Sequence, residues 1–178
     1  MTVLLRGCDA LAEGLGWVAR IVTLVLIGSM LYEVVARYVF NAPTMWAFDI
    51  SYMLNGVLFL LGAAYALKHD AHVRIDFLSQ KFPLRVQQGI NAVVYLLVLL
   101  PLVGAFSWIA TGKAYRAYLT GAVEEVSPWA PLMWPFYGAL ALGLWAMTLQ
   151  LLAEGIKFAL GQARPGAQPE SVGLGGEG

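Results

Sequence analysis

The stretch from Trp46 to Asp76 restricts what this chain can fold into more than any other. Trp46 to Leu67 is an apolar run of 22 residues, followed at once by Lys68-His69-Asp70-Ala71-His72-Val73-Arg74-Ile75-Asp76. At 1.5 Å of rise per residue the run makes a helix of about 33 Å, enough to cross a hydrocarbon core of about 30 Å. No charge lies between Asp49 and Lys68, and then basic and acidic groups alternate in a strip that needs water or partners. The stretch reads as a transmembrane helix and its exit from the membrane.

Composition agrees. Hydrophobic residues make up 60% of the chain, charged residues 12%, and mean hydropathy is +0.70, against about 25% charged residues in soluble domains. The class is an all-α integral membrane protein. Lys and Arg balance Asp and Glu and form no basic cluster, which argues against nucleic acid as a partner. The single cysteine, Cys8, allows no internal disulfide and no cysteine metal site, and reads as a small apolar residue.

In chain order, Leu4, Cys8, Leu11 and Leu15 share one helical face with Arg6, Asp9 and Glu13 off it, the pattern of a short helix on the membrane surface. A first span follows from about Trp17 to Val39, with Arg20 able to snorkel to the near interface. A signal peptide is the rival reading. No small-residue cleavage site follows the apolar run, so an uncleaved anchor is expected. Asn41-Ala42-Pro43-Thr44 then turns the chain back, since Pro43 disfavours helix at Ala42, and spans one and two form an antiparallel hairpin.

Beyond the charged strip, Ile75, Phe77, Leu78 and Phe82 can rest on the interface, and Pro83 opens the third helix from its first turn. That span runs from about Val86 to Ala110, and Pro101 inside it predicts a kink. Tyr115, Tyr118, Leu119, Ala122 and Val126 fall at helical spacing opposite Lys113, Arg116, Glu124 and Glu125, which predicts a second surface helix. A fourth span covers about Trp134 to Phe158. The expected organisation is one four-helix membrane domain over 1–160, with spans near 17–39, 46–67, 86–110 and 134–158. Gly and Pro density makes 161–178 a disordered tail.

With a cytoplasmic N-terminus, Arg6, Arg20, Lys68, Arg74, Lys81, Arg85, Lys157 and Arg164 lie inside, eight residues, against Arg37, Lys113 and Arg116 outside, three. The positive-inside rule then selects both termini in the cytoplasm, N-in and C-in.

Chemistry is hard to find. His69 and His72 lie three apart on one segment, whereas a haem between helices needs ligands from opposite sides. They can join Asp70 and Asp76 around a metal, but a solvated charged loop is the simpler reading. No phosphate loop, nucleophile elbow or metalloprotease helix appears, so neither enzyme nor cofactor is expected. A self-sufficient transporter needs polar groups at mid-membrane. Asn55 is a weak candidate, and Glu33, Asp49, Gln150 and Glu154 lie toward span ends. Helix-packing residues are plentiful: Gly62 with Ala66, Gly138-Ala139 with Gly143, and Gly28-Ser29.

Four pieces carry a resemblance: Glu33-Val34-Val35-Ala36-Arg37-Tyr38-Val39-Phe40, Trp46 with Asp49 three residues on, Gly62 to Leu67, and His72-Val73-Arg74-Ile75-Asp76. Together they resemble the small membrane subunit of tripartite ATP-independent periplasmic (TRAP) transporters, the DctQ-like family. The likeness covers roughly Trp17 to Leu84, and Asp49 stands where the family pattern leads one to expect Glu. It implies a multi-pass protein of the bacterial inner membrane, held against a large permease subunit with the sodium sites and substrate path. It also implies a periplasmic solute-binding protein docking from outside. Other classes to weigh are a four-helix anchor for a redox or other enzyme complex, and a small exporter acting as a homodimer.

The candidate structural or partner-binding residues are Glu33, Arg37, Tyr38, Trp46 and Asp49 at one membrane face and His72, Arg74 and Asp76 at the other. Arg74 and Asp76 are expected to meet lipid phosphates or the backbone ends of neighbouring helices. Glu33 and Arg37, four apart on one helix face, are expected to pair. Asp49 is expected to join them, so that Arg37 sits between two carboxylates.

Overall fold

The computed structural model describes residues 2–68 and 83–161. The strip from His69 to Phe82, with His72, Arg74 and Asp76, lies outside the described residues, as does the expected tail after Gly161. Five helices carry the rest: α1 (Thr2–Tyr38), α2 (Ala47–Lys68), α3 (Leu84–Val93), α4 (Leu100–Thr120) and α5 (Trp134–Ala159). A π-helical turn, Val94–Leu99, joins α3 to α4. Among the described residues four segments are long and apolar enough to span a membrane: Gly7–Tyr38, Ala47–Leu67, Arg85–Thr120 and Trp134–Ala159. No strand is present there, only one antiparallel bridge between Val123 and Leu132.

Both expected surface helices turn out to be ends of spans. α1 runs unbroken for 37 residues, about 55 Å, so Thr2 to Leu15 continues the first span. α4 likewise continues to Thr120, where Gly121 at φ +61° closes it in the left-handed conformation. After it comes a loop, so Ala122 and Val126 are not helical. Periodicity alone cannot separate these arrangements, because a helix along the membrane and one projecting from it have the same 3.6-residue repeat. Gly14 and Gly16 cost about 1 kcal/mol each, too little to break a helix braced on its neighbours.

The expected irregularity at Pro101 is a π-turn. Proline has no N–H and crowds the carbonyl four residues back. The widened turn Val94–Leu99 absorbs this, with the Leu100 N–H reaching the Tyr95 carbonyl, and Pro101 falls in the first turn of α4, where no N–H is required. Pro83 sits just before α3, its carbonyl accepting from the Val86 and Gln87 N–H groups at 2.9 and 3.2 Å.

α5 is the central helix and touches every other. Against α4, the buried Ser107 and Thr148 hydroxyls lie 2.9 Å apart, and each also lies 2.8 Å from a carbonyl of its own helix. Two protons thus serve three short contacts, all inside the bundle. Toward the end of α5, Leu151 and Phe158 pack with Leu67, Tyr95 and Val103.

Against α2 the backbones come close. A Cβ on Gly143 would stand 2.9 Å from the Leu60 Cβ and 3.1 Å from its carbonyl carbon, whereas one on Gly28, Gly62 or Gly138 would meet nothing within 4 Å. Of the glycines expected to pack helices, only Gly143 does so tightly within the described chain. Gly143→Ala is therefore expected to destabilise the detergent-purified protein by about 1–3 kcal/mol, while Gly138→Ala is expected to be neutral or mildly stabilising. Thermal unfolding of the two variants checks the contrast.

Candidate functional site

The hairpin of α1 and α2 places most of the candidate residues at one end of the bundle. Asn41 at φ +50° ends α1, and the Ala42 N–H returns to the Ala36 carbonyl at 2.9 Å. Glu33 is the hub of the turn. Its Oε1 accepts from Arg37 Nε at 2.9 Å and Nη2 at 2.5 Å, while Oε2 accepts from the Thr44 N–H at 3.0 Å and from the Thr44 hydroxyl. The expected Glu33–Arg37 pair is present, and it ties the helix to the far side of the turn. Trp46 stacks on Tyr32, ring centroids 5.7 Å apart, and its carbonyl accepts from the Ile50 N–H to start α2. Tyr38 is 79% exposed and stands clear of this network.

Asp49 does not join Glu33 and Arg37. It is 97% buried by accessible surface, only 3% being exposed, and its Oδ2 accepts from the Ser127 hydroxyl. On α2 successive residues turn by about 100°, so Phe48 faces the Arg37 side and Asp49 faces the loop before α5. Adjacency of the two helices was legible; the angular position of residue 49 relative to residue 37 was not. Asp49 lies in the first turn of α2, where the helix dipole favours a negative charge. Among the described residues no Lys or Arg reaches it.

A second cluster, at the opposite end of α5, went unread in the sequence. Lys157 Nζ donates to Asp9 Oδ1 and Oδ2 at 2.9 and 3.1 Å and to Glu154 Oε1 at 2.8 Å. The Gln150 amide nitrogen donates to the same two carboxylates, at 3.1 and 3.0 Å. The signal was Gln150, Glu154 and Lys157 on one helix face at i, i+4 and i+7; Asp9 was hidden because the start of α1 was expected to lie along the membrane. Eleven residues further along α1 from Asp9, Arg20 sits over the Trp17 ring at 4.7 Å and the Tyr65 ring at 5.7 Å. Among the described residues no group of three His, Cys, Asp or Glu is placed to hold a metal ion.

What the clusters do is fasten helices. Among the described residues no nucleophile, acid–base pair or phosphate cradle converges at either end. A family model for the DctQ component of tripartite ATP-independent periplasmic transporters matches residues 26–159, from mid-α1 to the end of α5. The chain belongs to the DctQ family. It is thus a small permease component of a transporter rather than an enzyme, and a multi-pass protein of the inner membrane. The sialic acid TRAP transporter small permease protein SiaQ of Vibrio cholerae serotype O1 (strain ATCC 39315 / El Tor Inaba N16961) is 30% identical over 70 residues, 37% of this chain and 40% of the relative. The sialic acid TRAP transporter permease protein SiaT of Haemophilus influenzae (strain 86-028NP) is 28% identical over 82 residues, 46% of this chain and 13% of the relative. The alignment therefore spans well under half the length of either relative. In this DctQ-family protein the matched region includes Glu33, Arg37, Tyr38, Trp46 and Asp49.

Because Glu33 serves both Arg37 and the turn, whereas the Arg37 side chain is 55% exposed, Glu33→Ala is expected to lower the melting temperature by several degrees, and Arg37→Ala by less. The reverse order in thermal melts of the purified variants would show that the ion pair, not the turn, is what matters. At the other end, Asp9→Asn and Lys157→Met are expected to be non-additive, with the double variant no less stable than the worse single one.

Proposed function

We propose that this chain is the small, non-catalytic subunit that scaffolds a large permease for sodium-driven uptake of an organic acid, delivered by a periplasmic binding protein. The observation that carries the reading is the family match over 26–159 on helices that cover one another poorly. In the most apolar window of α1 only 6% of residues are buried, and 39% in that of α5. Leu24, Leu31, Phe59, Leu97 and Trp108 are each more than 60% exposed, so most of the apolar surface is left to lipid tails or to another membrane protein. A stretch like this chain within a much longer permease protein supports a large membrane partner. The sialic acid relatives support an organic acid as the cargo class.

Both termini belong in the cytoplasm, on the eight-to-three distribution of Lys and Arg. The Glu33–Thr44 turn and the loop from Gly121 to Met133 then face the periplasm, within reach of a binding protein. Arg74 and Asp76 fall on the cytoplasmic side, where lipid headgroups are close.

Solubilising native membranes in mild detergent and isolating this chain by a C-terminal tag is expected to bring down a longer multi-span permease. Recovery of the chain alone, or with a haem protein, would overturn the subunit reading. For orientation, with Cys8 replaced, a cysteine at Lys81 should be shielded from an impermeant thiol reagent in intact cells and one at Thr120 should react. Reversed labelling would invert the topology.

A further inference from the structure

One stripe of α2 is exposed along most of its length and is not purely apolar, although Tyr52 already meets the Phe136 ring of α5 edge-on, centroids 5.3 Å apart. Phe48, Tyr52, Asn55 and Phe59 follow one another at helical spacing, and all four are exposed, at 80% for Phe48 and 76% for Phe59. Gly62 continues the stripe, with nothing within 4 Å of where its Cβ would be. Asn55 is nine residues into α2 from Ala47, about 12 Å below its outer end. Among the described residues it makes no hydrogen bond. On α1 and α4, by contrast, the Thr23, Ser29 and Thr111 hydroxyls bond back to carbonyls of their own helix. An amide at this depth is costly against lipid tails and is ordinarily met by another helix.

The upper end of the same stripe opens into a cavity of about 510 Å³, lined by Met45, Phe48, Asp49, Tyr52, Glu124 and Ser127 among others. Two carboxylates face one apolar-rimmed space. Asp49 is buried, holds one hydroxyl, and has no cation within 4 Å among the described residues. A buried carboxylate without a counter-charge is expensive. The side chain that fits is an arginine. Its guanidinium can fork between two carboxylates, and its plane can lie against the rings of Tyr52 and Phe48.

We propose that the Phe48–Tyr52–Asn55–Phe59–Gly62 face of α2 is the seat of a membrane-spanning helix of the large permease subunit. A polar side chain of that helix bonds Asn55, and an arginine of that subunit enters the cavity at Asp49. This rests on the subunit reading above. The large subunit is favoured over a soluble binding protein because the cavity rim is apolar, Met45 being 67% and Val126 91% exposed. The stripe also runs down into the membrane, which a soluble partner cannot follow. Gly62, unoccupied on that face, permits the close approach such a helix needs.

The test uses the complex isolated from native membranes through this chain. A photo-crosslinking amino acid is placed at Phe59, and as a control at Trp108 on α4, which meets α2 through α5 and is 74% exposed. Phe59 is expected to link to a large-subunit helix, and Trp108 is not. Asn55→Leu and Asp49→Asn are each expected to lower large-subunit recovery by about threefold to tenfold, with the yield of folded small subunit unchanged. Because the crosslink is made in a chain that keeps Asp49 and Asn55, it stands even if a substitution impairs folding. A large subunit linked through Trp108 and not Phe59, or recovered within about twofold when either residue is changed, would remove α2 as the seat and leave the subunit reading standing. Failure of the unsubstituted chain to bring down any large subunit would remove both.

Discussion

The bundle depends on how closely α5 approaches its neighbours. In a bilayer no hydrophobic drive holds helices together, since lipid tails are as apolar as leucine, and cohesion must come from packing and from polar contacts between helices. α5 supplies both. Gly143 lets the α2 backbone at Leu60 come to van der Waals distance, and the Ser107–Thr148 contact ties α4 to α5 with hydroxyls already bonded to their own helices. α5 touches α1, α2, α3 and α4, so a change at this axis reaches every span.

The polar clusters at the two ends have a common logic. Each fastens α1 to a later element: Glu33 reaches across the turn to Thr44, and Asp9 reaches Lys157 at the end of α5. α1 is the least buried span, and its long exposed flank cannot anchor itself by apolar contact alone. Charges at its two ends are where polar interactions can be strong without exposing ions to the hydrocarbon core.

Much of this was legible in the sequence, because the membrane restricts spanning segments to helices of fixed length. The four spans, the hairpin at Asn41–Thr44, the Glu33–Arg37 pair and the irregularity before Pro101 all follow from apolar run length, proline chemistry and i,i+4 spacing. What was not legible concerns rotation and direction. The helical repeat is the same whether Thr2–Leu15 and Thr111–Thr120 lie along the membrane or project from it, and the structure shows each continuing its span's helix without a break. Whether Asp49 faces Arg37 or Ser127 depends on a rotation of about 100°, which only packing against α5 and the preceding loop decides. The Asp9–Lys157 contact joins the two ends of the chain, beyond the reach of any local pattern.

A chain whose polar groups fasten helices and whose apolar faces are left uncovered fits the proposed role of a subunit completed by a partner. The central claim is that it moves nothing by itself. Proteoliposomes carrying this protein alone, under an inward sodium gradient and with sialic acid as a trial organic acid, should show uptake no greater than empty vesicles. Adding the permease isolated with it and the associated binding protein should produce gradient-dependent uptake. Sodium-driven accumulation by this chain alone would contradict the account.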